Sequence, residues 1–225
     1  MRNTVYLIRH GENVANITKE FSHRKVDYSL TDKGREQARQ TAAYFRGRRL
    51  DAVYASPLKR AVETAEPIAA LAGLPIHQVE GLREVNIGDL EDERPTPEAW
   101  ARYFAVADRW KAGEMDARHP GGESLRELQA RLRGAVVEAL AGRRGQHIAV
   151  VAHGGIFAYG LAPLCDDAES AAALIRAQAK ENCAITRIEA DLEGDRLAVT
   201  LHDWASCAHL SGWAAEFVAG VPARG

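Results

Sequence analysis

Val5-Tyr6-Leu7-Ile8-Arg9-His10-Gly11-Glu12 runs four consecutive apolar or aromatic residues straight into Arg-His-Gly, with no polar alternation to mark a solvent face. A short continuous run of β-branched and aromatic residues reads as a buried strand, most naturally a parallel one covered on both faces. Arg9 and His10 then stand where that strand ends, and Gly11 permits a sharp turn or a close approach of backbone to a ligand. An imidazole beside a guanidinium at a strand tip offers a nucleophile next to an anion clamp. The tripeptide gains weight only if the rest of the chain supplies matching parts.

Working outward, His147-Ile148-Ala149-Val150-Val151-Ala152 is a second strongly apolar strand, and it ends at His153-Gly154-Gly155. Asp51–Ala55 reads as a shorter strand, followed by Ser56-Pro57, an N-cap with proline at the first helical position. Ile76–Val79 is a further strand leading to Leu82-Arg83-Glu84 and a loop with Gly88, and Ala184–Ala190 with Arg196–Trp204 form a hairpin through Glu193-Gly194-Asp195. Between them lie helical patterns. One is capped by Thr31 and runs to about Arg46. A second carries Leu58, Ala61, Ala65, Ile68 and Ala72, with Pro67 expected to kink or split it. A third starts at Thr96-Pro97, and a fourth opens with the capping-box pair Ser124 and Glu127. Helical segments follow His153 to about Lys180, whereas residues 11–30 show little periodicity. Strands alternating with helices predict one α/β domain over 1–225. It is three-layered, with a mostly parallel twisted sheet, helices on both faces and one antiparallel strand. A small helical insertion at about 89–122 places Trp100, Tyr103, Phe104, Ala107 and Trp110 at helical spacing, either as core or as the underside of a lid over the active site.

With 225 residues, 46% hydrophobic and 27% charged, the composition is that of an ordinary globular protein. A formal net charge of −2 gives no reason to expect a nucleic-acid or membrane-surface partner. The basic clusters Arg46, Arg48, Arg49 and Arg143, Arg144 fall near expected helix ends, where cations favour the dipole. Cys165, Cys183 and Cys207 form no Cys-x-x-Cys, and no secretory signal is visible, which predicts a reducing, cytoplasmic setting. Nothing in the sequence reads on oligomeric state.

The positions of the charged residues matter most. His10, Arg60 and His153 fall just past the C-terminal ends of three apolar strands, with Arg9 adjacent to His10. In open parallel sheets those ends share one edge, and ligands bind there. The helix expected after Ser56 would add backbone N–H donors and a partial positive charge. Such a pocket suits a dianion, most naturally a phosphoryl group.

These stretches resemble the histidine phosphatase (phosphoglycerate mutase-like) superfamily. The resemblance rests on Leu7-Ile8-Arg9-His10-Gly11-Glu12 with Asn16, Leu30-Thr31-Asp32-Lys33-Gly34, and Ala55-Ser56-Pro57-Leu58-Lys59-Arg60-Ala61 with Thr64-Ala65. It continues through Leu82-Arg83-Glu84 with Gly88, Pro120-Gly121-Gly122-Glu123-Ser124, and Val150-Val151-Ala152-His153-Gly154-Gly155, with an echo at His209-Leu210. Together these segments span nearly the whole chain in the family's order. The resemblance implies that His10 is the nucleophile, taking the phosphoryl group as a phosphohistidine before water releases it. It implies that Arg9, Arg60 and His153 hold the phosphoryl oxygens, with Asn16 adding a hydrogen bond and Gly154, Ser22, His23 and Asn182 as further substrate-binding positions. Glu84 is implied as the general acid, a role that requires it to hold a proton near neutrality. The bland readings are a solvated Glu84 paired with Arg83, an Asn16 that caps a turn, and a Glu123 that serves a helix start. No cofactor or metal is implied, since the arginines supply the charge compensation and His202 and His209 lack metal-ligand spacing.

Three departures from the family pattern bear on substrate. Gly88-Asp89-Leu90-Glu91-Asp92 lacks the aromatic and second glycine common after the acid, and Phe21-Ser22-His23-Arg24-Lys25 replaces a frequent Gly-Trp. The Arg-His-Tyr-Gly-type segment of true mutases is also absent, which tips the expectation to a phosphatase. The expected activity is hydrolysis of a small phosphorylated metabolite, with inorganic phosphate as product. The alternatives are a 2,3-bisphosphoglycerate-dependent phosphoglycerate mutase and a catalytically weak phospho-ligand binding protein. His23, Arg24, Arg83 and Arg102 are candidates to meet a second anionic group on the substrate.

Overall fold

In the computed structural model, which describes residues 1–167, 169, 181–218 and 222, the opening apolar run becomes β1 (Asn3–Arg9) near the middle of a six-stranded sheet. The other strands are β2 (Ala52–Ala55), β3 (Ile76–Gln78), β4 (His147–Ala152), β5 (Ile185–Glu193) and β6 (Arg196–Ser206), in the order β3-β2-β4-β1-β5-β6. β1, β2 and β3 run parallel with β4 among them, while β5 is antiparallel to both β1 and β6. One strand therefore opposes the rest, as the sequence pattern predicts.

The continuous apolar character of β1 and β4 follows from burial on both faces. Tyr6, Ile8, Val53, Ala149 and Val151 pack on one side against α2 (Asp32–Tyr44) and α3 (Lys59–Ala72) through Ala42, Ala61, Ala65 and Ile68. Val5, Leu7, Ile148 and Val150 point the other way, into a core shared with α4 (Pro97–Lys111), α5 (Leu125–Leu140) and α6 (Gly154–Gly160). Trp100 and Trp110 of α4 belong to that core, so the 89–122 segment is packed onto the sheet side and not appended to it. Register then aligns the strand ends. Arg9 pairs with Ala152 and Ala55 with Val151, while the amides of His10 and Ser56 bond to the carbonyls of Ala152 and Val151 at 2.9 Å each.

Gly11 serves the close-approach role. A side chain there would sit 2.7 Å from the Gly34 carbonyl oxygen, and one at Gly34 would sit 2.0 Å from that of Glu12. The two glycines let the first turn of α2 press against the loop carrying the site.

Local readings fail in three places. Ser56 does not cap a helix: α3 begins at Lys59, Leu58 occupies the cap position without a side-chain bond, and the first helical amide donates to Asp27 at 3.0 Å. The Ser56 hydroxyl is committed elsewhere, and a carboxylate from a distant loop takes over the helix start. Pro67 does not split α3, which continues to Ala72. Within residues 11–30 lies an additional five-residue helix, α1 (Val14–Thr18), closed by an Asn13–Asn16 capping box. The helical expectation toward Lys180 extends over residues 168 and 170–180, outside the described residues.

Candidate active site

Where β1, β2 and β4 end, a cavity of about 160 Å³ opens, walled by Arg9, His10, Asn16, Ser22, Arg60, Glu84 and Gly154. The strand ends bring these groups together although they are separated by up to 145 residues of chain.

His10 is 3% exposed, and both ring nitrogens have defined partners. Nδ1 lies 2.7 Å from the Gly11 carbonyl, which can only accept, so Nδ1 carries the proton. Nε2 is then the lone-pair nitrogen, and it accepts from Arg60 Nε at 3.2 Å. Burial, with Arg60 and Arg9 adding to it, pushes the His10 pKa well below 6.5 and keeps the ring neutral. His153 lies beside it, ring centroids 5.2 Å apart, with Nε2 2.7 Å from Ser56 Oγ. Burial followed by Arg60 pushes its pKa well below 6.5 as well. His153 Nδ1 is buried and unpartnered among the described residues, although the ring is not part of the cavity wall.

Arg60 is 2% exposed, and burial pulls its pKa down to about 10 against the opposing pull of Glu84 and Asp27. Its Nη2 donates to the Ser22 carbonyl at 3.2 Å, while Nη1 has no hydrogen-bond partner among the described residues and lies 3.6 Å from Asp27. Arg9 Nε is likewise buried and unpartnered. Two guanidiniums whose N–H groups are not all spent on the protein border one cavity, an arrangement chemically suited to an anion.

The Glu84 carboxylate is tied to the start of α6, accepting from the amides of Gly155 at 3.0 Å, Ile156 at 2.8 Å and Val85 at 2.9 Å. It does not pair with Arg83, which instead meets Glu80. Gly155 is required by this contact, since a Cβ there would lie 2.6 Å from Glu84 Oε1. The first backbone donor of the helix after Ser56, the Lys59 amide, is not offered to the cavity, because both Asp27 carboxylate oxygens take it at 3.0 and 3.1 Å.

The lesser positions divide. Asn16 lines the cavity with Oδ1 already accepting from Asn13 N and Asn182 Nδ2, which leaves its amide N–H groups as the donors it can offer. Asn182 spends Nδ2 on the His10 carbonyl and Asn16 Oδ1, both at 3.0 Å, and stands outside the lining, so it fixes the His10 backbone without facing the cavity. Ser22 lines the cavity but its hydroxyl donates to Val26 O at 2.6 Å. His23 is 4% exposed and also outside the lining, with neither ring nitrogen partnered among the described residues. Arg83 and Arg102, offered for a second anion, pair with Glu80 and Glu93, and neither they nor Arg24 border the cavity.

Sequence reasoning missed Glu91. Its Oε1 accepts the backbone amides of His23, Arg24, Lys25 and Val26 at 2.6, 2.7, 2.9 and 3.2 Å, clipping the loop that carries Ser22. No local pattern marks such a contact across more than sixty residues of chain.

The family model for the histidine phosphatase superfamily (branch 1) matches residues 5–203. The chain belongs to the histidine phosphatase superfamily. Within it, the chain is 34% identical over 155 residues to the probable phosphoglycerate mutase GpmB of Salmonella choleraesuis, covering 67% of this chain and 69% of that one. Among solved structures it is similar to mycobacterial glucosyl-3-phosphoglycerate phosphatase in complex with inorganic phosphate. That match has 26% identity and a TM-score of 0.73, over 94% of this chain and 100% of that one. It is also similar to the α-ribazole phosphatase of Shigella flexneri, with 25% identity and a TM-score of 0.72 over 90% and 96% of the two chains. These superfamily neighbours are phosphatases, and the chain accords with them as a phosphoric monoester hydrolase. No helix among the described residues is long and apolar enough to cross a membrane.

Proposed function

We propose that the protein hydrolyses a small phosphate monoester through a phosphohistidine on His10. The observation that carries this reading is the fixed tautomer: a neutral, buried ring presents the Nε2 lone pair in a cavity that also holds two arginines with unpartnered N–H groups. Nε2 attacks phosphorus, the P–O bond to the alcohol breaks, and the departing alkoxide takes a proton from Glu84, a step that needs the protonated carboxyl against the pull of its three amide donors. Water then attacks the phosphohistidine, returning a proton to Glu84 and releasing inorganic phosphate. Arg9, Arg60, Asn16 and the amide side of Gly154 take the charge of the equatorial oxygens, where most of the barrier to phosphoryl transfer is met. His153, held by Ser56 and with its ring 5.2 Å from that of His10, backs the nucleophile from behind the cavity wall. The three unpaired thiols suit a reducing, cytoplasmic setting.

The test is incorporation of acid-labile phosphate that disappears in His10→Ala, together with EDTA-insensitive hydrolysis of a generic aryl phosphate. Absence of hydrolysis from mildly acidic to mildly alkaline pH would overturn the reading. The name of the Salmonella relative keeps a mutase in view as the second reading. It predicts isomerisation of phosphoglycerate that requires a bisphosphate primer.

A further inference from the structure

Beyond the phosphoryl end, the cavity has a wall that the chemistry above does not use. Phe21, Trp100 and Tyr103 form a three-ring cluster there, with centroids 4.6 Å apart for Phe21–Trp100, 5.1 Å for Trp100–Tyr103 and 6.1 Å for Phe21–Tyr103. Trp100 and Phe21 come from separate segments, α4 and the segment Phe21–Lys25, the latter one of the departures from the family pattern.

Two residues of this wall each carry a buried polar atom with no hydrogen-bond partner among the described residues: Trp100 Nε1, a donor, and Glu20 Oε2, an acceptor. Glu20 is hydrogen-bonded to Tyr28, which holds the carboxylate in place. Orphaned buried groups are rare in native proteins, and each marks a place where a partner from outside the chain, water included, is met. Charge narrows the occupant further. Among the described lining residues the cations are Arg9 and Arg60, both engaged at the phosphoryl end, and the remaining charge on the distal side is that of Glu20, which is negative. A second carboxylate or phosphate on the substrate would lose its hydration there beside a like charge, with no described counter-ion to compensate.

We propose, building on the phosphatase reading, that the alcohol released by this enzyme is a flat, uncharged aromatic body bearing a hydrogen-bond donor, recognised by Trp100, Phe21, Tyr103 and Glu20. The ring stacks on the aromatic wall and its donor meets the Glu20 carboxylate. The distal wall rejects carboxylated esters such as phosphoglycerates for want of a cation.

The experiment compares kcat/KM for benzyl, meta-hydroxybenzyl and meta-carboxybenzyl phosphates with glycerol phosphate and 3-phosphoglycerate, all esters of aliphatic alcohols with comparable leaving-group chemistry. The two uncharged benzyl esters are expected to exceed the carboxylated pair by about tenfold or more, the scale of discrimination a pocket of this kind supplies. Glu20→Gln narrows the hydroxybenzyl advantage, and Glu20→Lys raises the carboxybenzyl ester relative to benzyl. Equal turnover of all five, or a preference for 3-phosphoglycerate, overturns the leaving-group assignment and leaves the phosphatase reading intact. Turnover of none overturns the phosphatase reading. The wall is then judged on binding of benzylphosphonate against its carboxylated analogue by thermal shift, where equal stabilisation overturns it too.

Discussion

His10 is a neutral ring whose single proton has a fixed place, and the two facts have different causes. The Gly11 carbonyl fixes the proton on Nδ1, and burial with two nearby guanidiniums opposes a second proton on Nε2. The lone pair therefore persists when the medium drops below the ordinary imidazole range. A ring NMR titration of the free protein is expected to show His10 and His153 unchanged as pH falls through 6.5, while free histidine in the same tube moves. Arg60→Gln removes one of the opposing charges, so the His10 transition rises toward 6.5, and the phosphoryl site loses a charged donor, roughly 10²–10³ in rate. A wild-type His10 that titrates at or above 6.5 contradicts the account.

The loop of residues 22–26 depends on one carboxylate of the short turn Gly88–Asp92. Glu91 Oε1 gathers four backbone amides, and the loop in turn presents the Ser22 carbonyl to Arg60 Nη2 at 3.2 Å. Glu91→Ala leaves four amides without their shared acceptor, so amide exchange at residues 23–26 accelerates by at least about tenfold and KM rises as Arg60 loses its brace. Glu91→Gln, which keeps an acceptor oxygen, shows a smaller change in both. Unaltered exchange in Glu91→Ala would show that the loop is held by something else. The same segment explains what was and was not legible. The apolar strands β1 and β4 announce themselves, and with them the tips bearing Arg9, His10 and His153, because burial on both faces writes a continuous pattern. Ser56 obeys a local capping rule on paper and breaks it in space, since its hydroxyl is 2.7 Å from His153. Asp27 on the α3 amide and Glu91 on the 22–26 loop are contacts between distant segments, which periodicity and capping preferences do not encode. The Asn13–Asn16 box of α1 is local, but five residues are too few to leave a period.

At the scale of the molecule, the burial that prepares the site also ties folding stability to pH. His10, His119 and His153 are at most 5% exposed, and burial lowers all three, His119 to about 4. His209 is half-buried and is also lowered to about 4. In the unfolded chain each imidazole binds a proton near 6.5. Between 6.5 and about 4 the unfolded state thus holds more protons than the folded one, so stability is full above 6.5 and declines as pH falls through this window. His119 alone, over a shift from 6.5 to about 4, accounts for at most about 3 kcal/mol, a large fraction of a typical domain's stability. Paired carboxylates such as Asp51 and Glu80 act in the same direction but only below their ordinary range, so they do not begin the decline. Urea midpoints measured from pH 7.5 down to 4.5 are therefore expected to drop from about 6.5 onward, ahead of carboxylate protonation. His119→Phe preserves the stacked contact on Tyr103, whose ring lies 5.9 Å from the imidazole at 14°, and flattens part of that slope. A midpoint that holds constant down to pH 4.5 in the wild type, or a slope unchanged in His119→Phe, would place the imidazoles in water instead of in the core.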